Sequence, residues 1–327
     1  MGPSGMNEIL LSNEVIVYLL SETLLYTLLL VAFIVTIGLL RKWNFNAFTT
    51  DQFRLENRSY LVMTIIFFVI LLKVVLLPYF VYTIDNLSDL IPGAMCGAGV
   101  IKANGYGNPL LILKIIILFL SGLWLTVNSI DLGAKNYPYL KLKSWFFVFI
   151  FILLSTEFTL DMLYFTHIET SNPVSCCSVI FGQTGGANGL PFGLDIPKLI
   201  VLFYLLFLLL VLAIWANNAL LTIVASILFA SISYYAVVYV FGTYIYELPT
   251  HQCPFCMLQD HYHYVGYLVW GLLFLGVFFA IDSAIMYYFF KINSKVLKKI
   301  SLILLGLFVL LSSAYIAVYY IKNGVFL

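Results

Sequence analysis

Eight stretches of the chain, at about 14–40, 59–83, 109–131, 145–166, 194–215, 218–243, 264–290 and 299–321, stay apolar over the length of a membrane-crossing helix. A helix needs roughly 20 such residues to span the hydrocarbon core of a bilayer. Inside lipid every backbone N–H and C=O must be satisfied by the protein itself, which a helix achieves within one segment. The pattern therefore predicts an all-α integral membrane protein with about eight transmembrane helices. The segments between them are too short for a soluble domain. Composition agrees, with 63% hydrophobic and 9% charged residues against about 25% charged in soluble domains. A formal net charge of +1 argues against nucleic acid as a partner and leaves membrane lipid as the surrounding medium. The first stretch is too long for the core of a signal peptide. The opening Met1-Gly2-Pro3-Ser4-Gly5 reads as a tag remnant ahead of Met6.

Basic residues set the expected orientation. Arg41, Lys42, Arg54 and Arg58 lie between spans one and two, Lys135, Lys141 and Lys143 between three and four, and Lys291, Lys295, Lys298 and Lys299 between seven and eight. Positive charge collects on the cytoplasmic side, so these alternate loops are expected there and both termini outside. The remaining long loops then face outward. They hold every cysteine of the chain: Cys96, then Cys176 and Cys177, then Cys253 and Cys256. The four histidines, His167, His251, His261 and His263, fall on the same side. Thiols facing an extracytoplasmic space meet oxidising conditions, and an odd count cannot pair completely within one chain.

Two of these loops look alike. Cys96 is followed by Ala103-Asn104-Gly105 and Pro109, and Cys177 by Ala187-Asn188-Gly189 and Pro191. An ancient duplication of a helix pair would produce that, although such residues are common in any loop. The run Gly182-Gln183-Thr184-Gly185-Gly186 reads as a flexible flap.

The strongest motif is His251-Gln252-Cys253-Pro254-Phe255-Cys256-Met257-Leu258-Gln259, running into span seven. Two cysteines separated by two residues at a helix start lie one turn apart. A helix N-terminus stabilises a thiolate, which suits disulfide exchange. Pro254 is compatible with a first helical turn. A structural disulfide or a metal site are the alternatives. A helix beginning near Pro254 would place Cys256, Gln259 and His263 on one face and turn His261 about 200° from His263. The set His251, Cys253, Cys256 and His261 offers ligands for zinc or copper, as in a transporter or carrier of a thiophilic metal. Tyr234, Tyr235, Tyr239, Tyr244 and Tyr246 precede the motif. They read as an interfacial belt or as a ring-lined slot.

Cys-Pro-x-Cys-x-x-Gln leading into an apolar helix resembles the DsbB-type disulfide-forming oxidoreductases of bacterial inner membranes. The order of elements is similar to the related vitamin K epoxide reductase family: Cys176-Cys177-Ser178-Val179, then Gly189-Leu190-Pro191, a helix pair, then Cys253 and Cys256. The resemblance covers about 145–290. It implies a four-helix catalytic bundle of spans four to seven. Residues 6–144 would then be accessory helices and 291–327 a terminal helix. It also implies a thiol–disulfide oxidoreductase in the bacterial inner membrane, with its cysteine loops extracytoplasmic. A periplasmic thioredoxin-like partner would exchange with a loop thiol, Cys176 or Cys177, one of which would pair with Cys96 or with the Cys253/Cys256 pair; Cys96 itself has no counterpart in the resemblance. Cys253 would be the more exposed thiol of its pair and Cys256 the deeper one. A quinone, ubiquinone or menaquinone, would accept the electrons near Gln259, His263, Tyr239 and Tyr235. Asp260 stands where the DsbB pattern has Arg, at the quinone end.

Charges within the spans are costly in lipid and mark pairing or function. Lys73 in span two is expected to pair with Glu157 in span four, which shares a helix face with Asp161 at i, i+4. A proton route is the functional alternative. Lys114 and Lys198, near helix starts, are expected to reach outward to the interface, and Asp282 to cap or pair near a helix end. Spans one and eight are read as bare of site residues.

Overall fold

The computed structural model of the chain describes residues 8–44, 49–134, 137–168, 170, 173–174 and 193–327. No strand occurs among the described residues. Eight helices among them are long and apolar enough to cross a membrane, so the chain is a multi-pass membrane protein by length and composition. They are α1 (Asn13–Lys42), α2 (Thr50–Asn86), α4 (Gly107–Gly133), α5 (Leu140–Thr166), α6 (Ile196–Trp215), α7 (Ala219–Ala236), α9 (Val265–Phe290) and α10 (Lys295–Asn323). A short helix, α3 (Gly97–Ile101), lies in a connection, and another, α8 (Gly242–Tyr246), ends the span that α7 begins, which runs over Ala219–Tyr246.

Local chemistry marks the ends. Ser12, Thr49, Asn218 and Ser294 cap α1, α2, α7 and α10, each side chain accepting a backbone N–H of the first turn, one of the donors a helix start leaves over. Gly324, at φ 73°, closes α10 in the left-handed conformation that glycine adopts without a Cβ penalty. The long side chains turned outward are apolar, among them Leu28, Leu72, Ile152, Leu208 and Leu310, while Glu22, Lys114, Glu157 and Asp161 are buried. That distribution suits lipid rather than water outside.

The chain divides into two compact units, Met1–Val174 and Ser175–Leu327. In the first, α1 packs on α2 and α5, α2 on α4, and α4 on α5, closing a ring of four helices. Its apolar core includes Leu29, Ile66, Ile117, Trp124, Phe147 and Ile150. In the second, α6 packs on α7, α7 on α9 and α9 on α10. Phe203 of α6, Phe229 of α7 and Phe308 of α10 meet with Phe241, their ring centroids 5.0–6.2 Å apart. At Gly276 the α9 and α10 backbones come close: a Cβ there would sit 2.6 Å from Leu305 Cδ2. Ser301 Oγ donates to Gly276 O at 2.8 Å.

This division differs from the expected boundaries at 144 and 290. Span four, α5, belongs with spans one to three, because its polar side chains and Phe147 face α1 and α4. Span eight, α10, belongs with span seven through Gly276. A bundle of spans four to seven is therefore not the grouping found. Motif order guided that expectation, whereas buried charge and small-residue contacts decide which helices pack.

Candidate functional site

The segment between α8 and α9 carries the Cys-x-x-Cys. After α7 the chain widens into one π-helical turn, Val237–Phe241, before α8. Such bulges insert an extra residue and shift the phase of everything after them. Tyr246 lies at the end of α8, and Glu247 stops that helix in the left-handed region at φ 53°. The Tyr246 hydroxyl then binds the motif at two points. It donates to Cys253 O at 2.5 Å and accepts from Met257 N at 3.0 Å. Trp270 Nε1 of α9 donates to Pro254 O at 3.2 Å. A Cβ on Gly266 would sit 2.9 Å from the Met257 backbone carbon, so the absence of a side chain there lets the loop lie directly on α9.

Within this clamp the Cys253 and Cys256 sulfurs lie within 4.8 Å of one another. Both residues are buried, 3% and 4% exposed, so the expected contrast between an exposed Cys253 and a deep Cys256 is not found. The expected long helix starting at Pro254 is absent too. Cys256–Leu258 form a single 3-10 turn, Gln259 is extended at ψ 161°, and Asp260–Tyr262 form a second short turn. His263 and Tyr264 both take left-handed backbone angles before α9 begins at Val265. Cys256, Gln259 and His263 consequently do not share a helix face. A three-residue 3-10 turn also lacks the aligned peptides of a long helix, so stabilisation of a thiolate by a helix start does not apply here.

His251 is buried against the Tyr246 ring, centroids 4.2 Å apart. Its Nε2 has no hydrogen-bond partner among the described residues. The His251 backbone N–H donates to Leu248 O at 3.2 Å. His261 is exposed beside Asp260, 3.7 Å away, and so stands apart from the buried sulfurs. Burial and the nearby Cys256 and Cys253 push the Tyr262 hydroxyl above the ordinary phenol range; its ring packs on Tyr246 at 4.8 Å. Tyr235 and Tyr239 are half-buried neighbours, centroids 6.4 Å apart, whereas His263 is exposed.

The first unit places Cys96 at the start of α3, buried, with its carbonyl accepting from Gly99 N at 3.0 Å. Asp85 Oδ1 accepts the next N–H, that of Gly97, at 3.0 Å. Asn104, singled out in the possible repeat, ties the loop to α5: its Nδ2 donates to Tyr164 O at 2.9 Å, and Tyr164 Oη donates to Val100 O at 2.9 Å. Cys176, Cys177 and Ala187-Asn188-Gly189 lie outside the described residues.

The first unit also buries a charge cluster larger than expected. Lys73 Nζ contacts Glu157 Oε2 at 2.8 Å, as the spacing predicts, and both Glu22 oxygens at 2.8 Å. Lys114 does not reach outward. It lies two turns into α4 and donates to Glu157 Oε1 at 2.7 Å, Asp161 Oδ2 at 2.9 Å and Tyr18 Oη at 2.7 Å. Lys198, by contrast, is exposed beside Asp195. Span one is thus not bare: Glu22 and Tyr18 are members of the cluster. A single acidic residue in mid-span is itself the signal that could have flagged Glu22. Lys143, counted with the cytoplasmic charges, is buried against Asp131 Oδ2 at 2.7 Å.

No protein-family model, curated protein or solved structure matches the chain. Its function is therefore read from its own residues.

Proposed function

We propose that this chain is a membrane thiol–disulfide oxidoreductase working through Cys253 and Cys256. The observation that carries the reading is two sulfurs within 4.8 Å in a loop clamped by one tyrosine hydroxyl on both sides of the motif. In the reaction a thiolate of a protein dithiol attacks the Cys253–Cys256 disulfide, giving a mixed disulfide and one Cys thiolate. The second thiol of the substrate resolves it. The products are an oxidised substrate and the reduced Cys253/Cys256 pair, with two electrons and two protons transferred. A membrane quinone is the acceptor class that takes up those two electrons and two protons and restores the disulfide. Tyr235 and Tyr239 offer ring faces for such a head group; Gln259 and His263, also expected there, are carried off any common face by the extended backbone at Gln259. The natural partner is a periplasmic thioredoxin-like protein, and Cys176 and Cys177 are candidate loop shuttles. The resemblance to the DsbB and vitamin K epoxide reductase families supports a bacterial inner membrane location with the cysteine loops outside.

The test uses the whole chain in lipid nanodiscs. After equilibration at graded dithiol/disulfide ratios, remaining thiols are alkylated and mapped by mass spectrometry. A reversible Cys253–Cys256 bond is expected, and Cys256→Ser is expected to trap a mixed disulfide with another protein in cells. A Cys253/Cys256 pair that stays reduced at every ratio would sink the proposal.

A second reading rests on His251. A buried imidazole nitrogen without a partner among the described residues, in the same loop as two close sulfurs, offers soft and borderline donors for zinc or copper. It entails stoichiometric metal in purified protein, lost on Cys253→Ser and reduced on His251→Ala.

A further inference from the structure

We propose that the buried charge cluster of the first unit is a proton-binding site, holding one exchangeable proton on Asp161 Oδ1 where it faces the Tyr18 hydroxyl. This site does not depend on the thiol chemistry proposed above. Two separate counts support it.

The first is charge. Glu22, Glu157 and Asp161 supply three carboxylates, while Lys73 and Lys114 supply two ammonium groups. Four of the five are buried, Asp161 completely, and the Lys73 side chain at their edge is 9% exposed. A net charge left in so dry a place is strongly disfavoured, and the group neutralises instead. The Lys143–Asp131 pair of the same unit is balanced one to one, which makes the imbalance of the larger cluster specific to it.

The second count is of hydrogen atoms. Lys73 spends its three protons on the two Glu22 oxygens and Glu157 Oε2. Lys114 spends its three on Tyr18 Oη, Glu157 Oε1 and Asp161 Oδ2. Tyr18 Oη also lies 3.1 Å from Glu22 Oε1 and 3.0 Å from Asp161 Oδ1. A phenol has a single proton to donate, so both oxygen–oxygen contacts are full hydrogen bonds only when a carboxyl group supplies a second proton; otherwise the two acceptors share one. Glu157 has an ammonium on each oxygen, and Glu22 has Lys73 on both. Among the described residues Asp161 meets only one ammonium, at Oδ2, so its Oδ1 is the place for the added proton. That proton donates to Tyr18, and Tyr18 donates to Glu22.

The groups facing Asp161 are Tyr18 and Glu22 from α1, Lys73 from α2, Lys114 from α4, and Glu157 on α5. Tyr164, one turn on, points its hydroxyl at Val100 O. A cavity of about 20 Å³ lies against Tyr18, Glu22, Lys73, Lys114, Ser121 and Glu157. One water needs roughly 10–15 Å³, so the cavity has room for a water against Tyr18; Asp161 does not line it, and its proton reaches that water through the Tyr18 hydroxyl.

Infrared spectroscopy of the full chain in nanodiscs at neutral pH tests this. A carbonyl band of a protonated carboxyl is expected. It should move on transfer to D₂O, move again when aspartate carboxyls carry ¹³C, and vanish in Asp161→Asn. Because the amide replaces a neutral acid, Asp161→Asn is also expected to melt within a few degrees of the parent protein. The labelled parent spectrum decides the matter even if that variant does not fold. Absence of the band, or a band unaffected by aspartate labelling, overturns the proposal. So does a melting temperature raised by sodium but not by choline at equal ionic strength, since the missing positive charge would then be a metal cation.

Discussion

At the residue scale, two hydroxyls organise the two units. Tyr246 satisfies a carbonyl and an N–H of the Cys-x-x-Cys loop, and neither Cys253 nor Met257 has much access to water. Removing a buried partner leaves these groups unsatisfied at a cost of about 1–3 kcal/mol. Tyr246→Phe is therefore expected to lower stability by about that amount, read as a lower melting temperature. Alkylation of Cys253 and Cys256 should also speed up, because the loop loses its clamp. In the other unit Tyr18 bridges Glu22 and Asp161, and Lys114 touches three oxygens. Lys114→Met would leave three carboxyl groups facing one ammonium. Removing one partner of a buried ion pair costs about 3–5 kcal/mol. This variant is therefore expected to unfold at a lower temperature than Tyr246→Phe, measured by thermal unfolding in the same detergent.

At the element scale, close backbone approach at two glycines fixes α9. Gly276 admits Leu305 of α10, and Gly266 admits Met257 and Leu258 of the cysteine loop. A methyl at 276 must push Leu305 aside. Overpacking of this kind costs about 1–3 kcal/mol, and Leu305→Ala in the same molecule is expected to recover part of the loss from Gly276→Ala. Gly266→Ala should act differently. Its nearest backbone neighbour is the Met257 carbonyl carbon at 2.9 Å, so the loop itself must shift, and faster alkylation of Cys256 with little change in melting temperature is the expected signature.

At the scale of the whole molecule, the positive-inside rule applied to the basic residues on alternate loops gives the expectation that the segment after α1 faces the cytoplasm. A cysteine introduced at Asn44 is expected to react with an impermeant maleimide only after cell lysis; labelling in intact cells would reverse the assumed orientation. The eight spans were legible because an apolar stretch of that length has few alternatives, and the Lys73–Glu157 pair because two opposite charges at similar depth in lipid seek each other. The Cys-x-x-Cys was legible as a motif, yet its backbone was not: Gln259 and the left-handed His263 and Tyr264 carry no local signal strong enough to break a helix. Glu22 carried a local signal as an acidic residue within a span, whereas Tyr18 and the inward turn of Lys114 depend on groups brought from other helices. Local chemistry, acting over a few residues, thus determined which segments are helices, where they are capped and that they suit lipid. Which helices share a unit and which charges meet were decided only in three dimensions, because those energies arise between groups far apart in the chain, such as Tyr18 and Asp161 at a separation of 143.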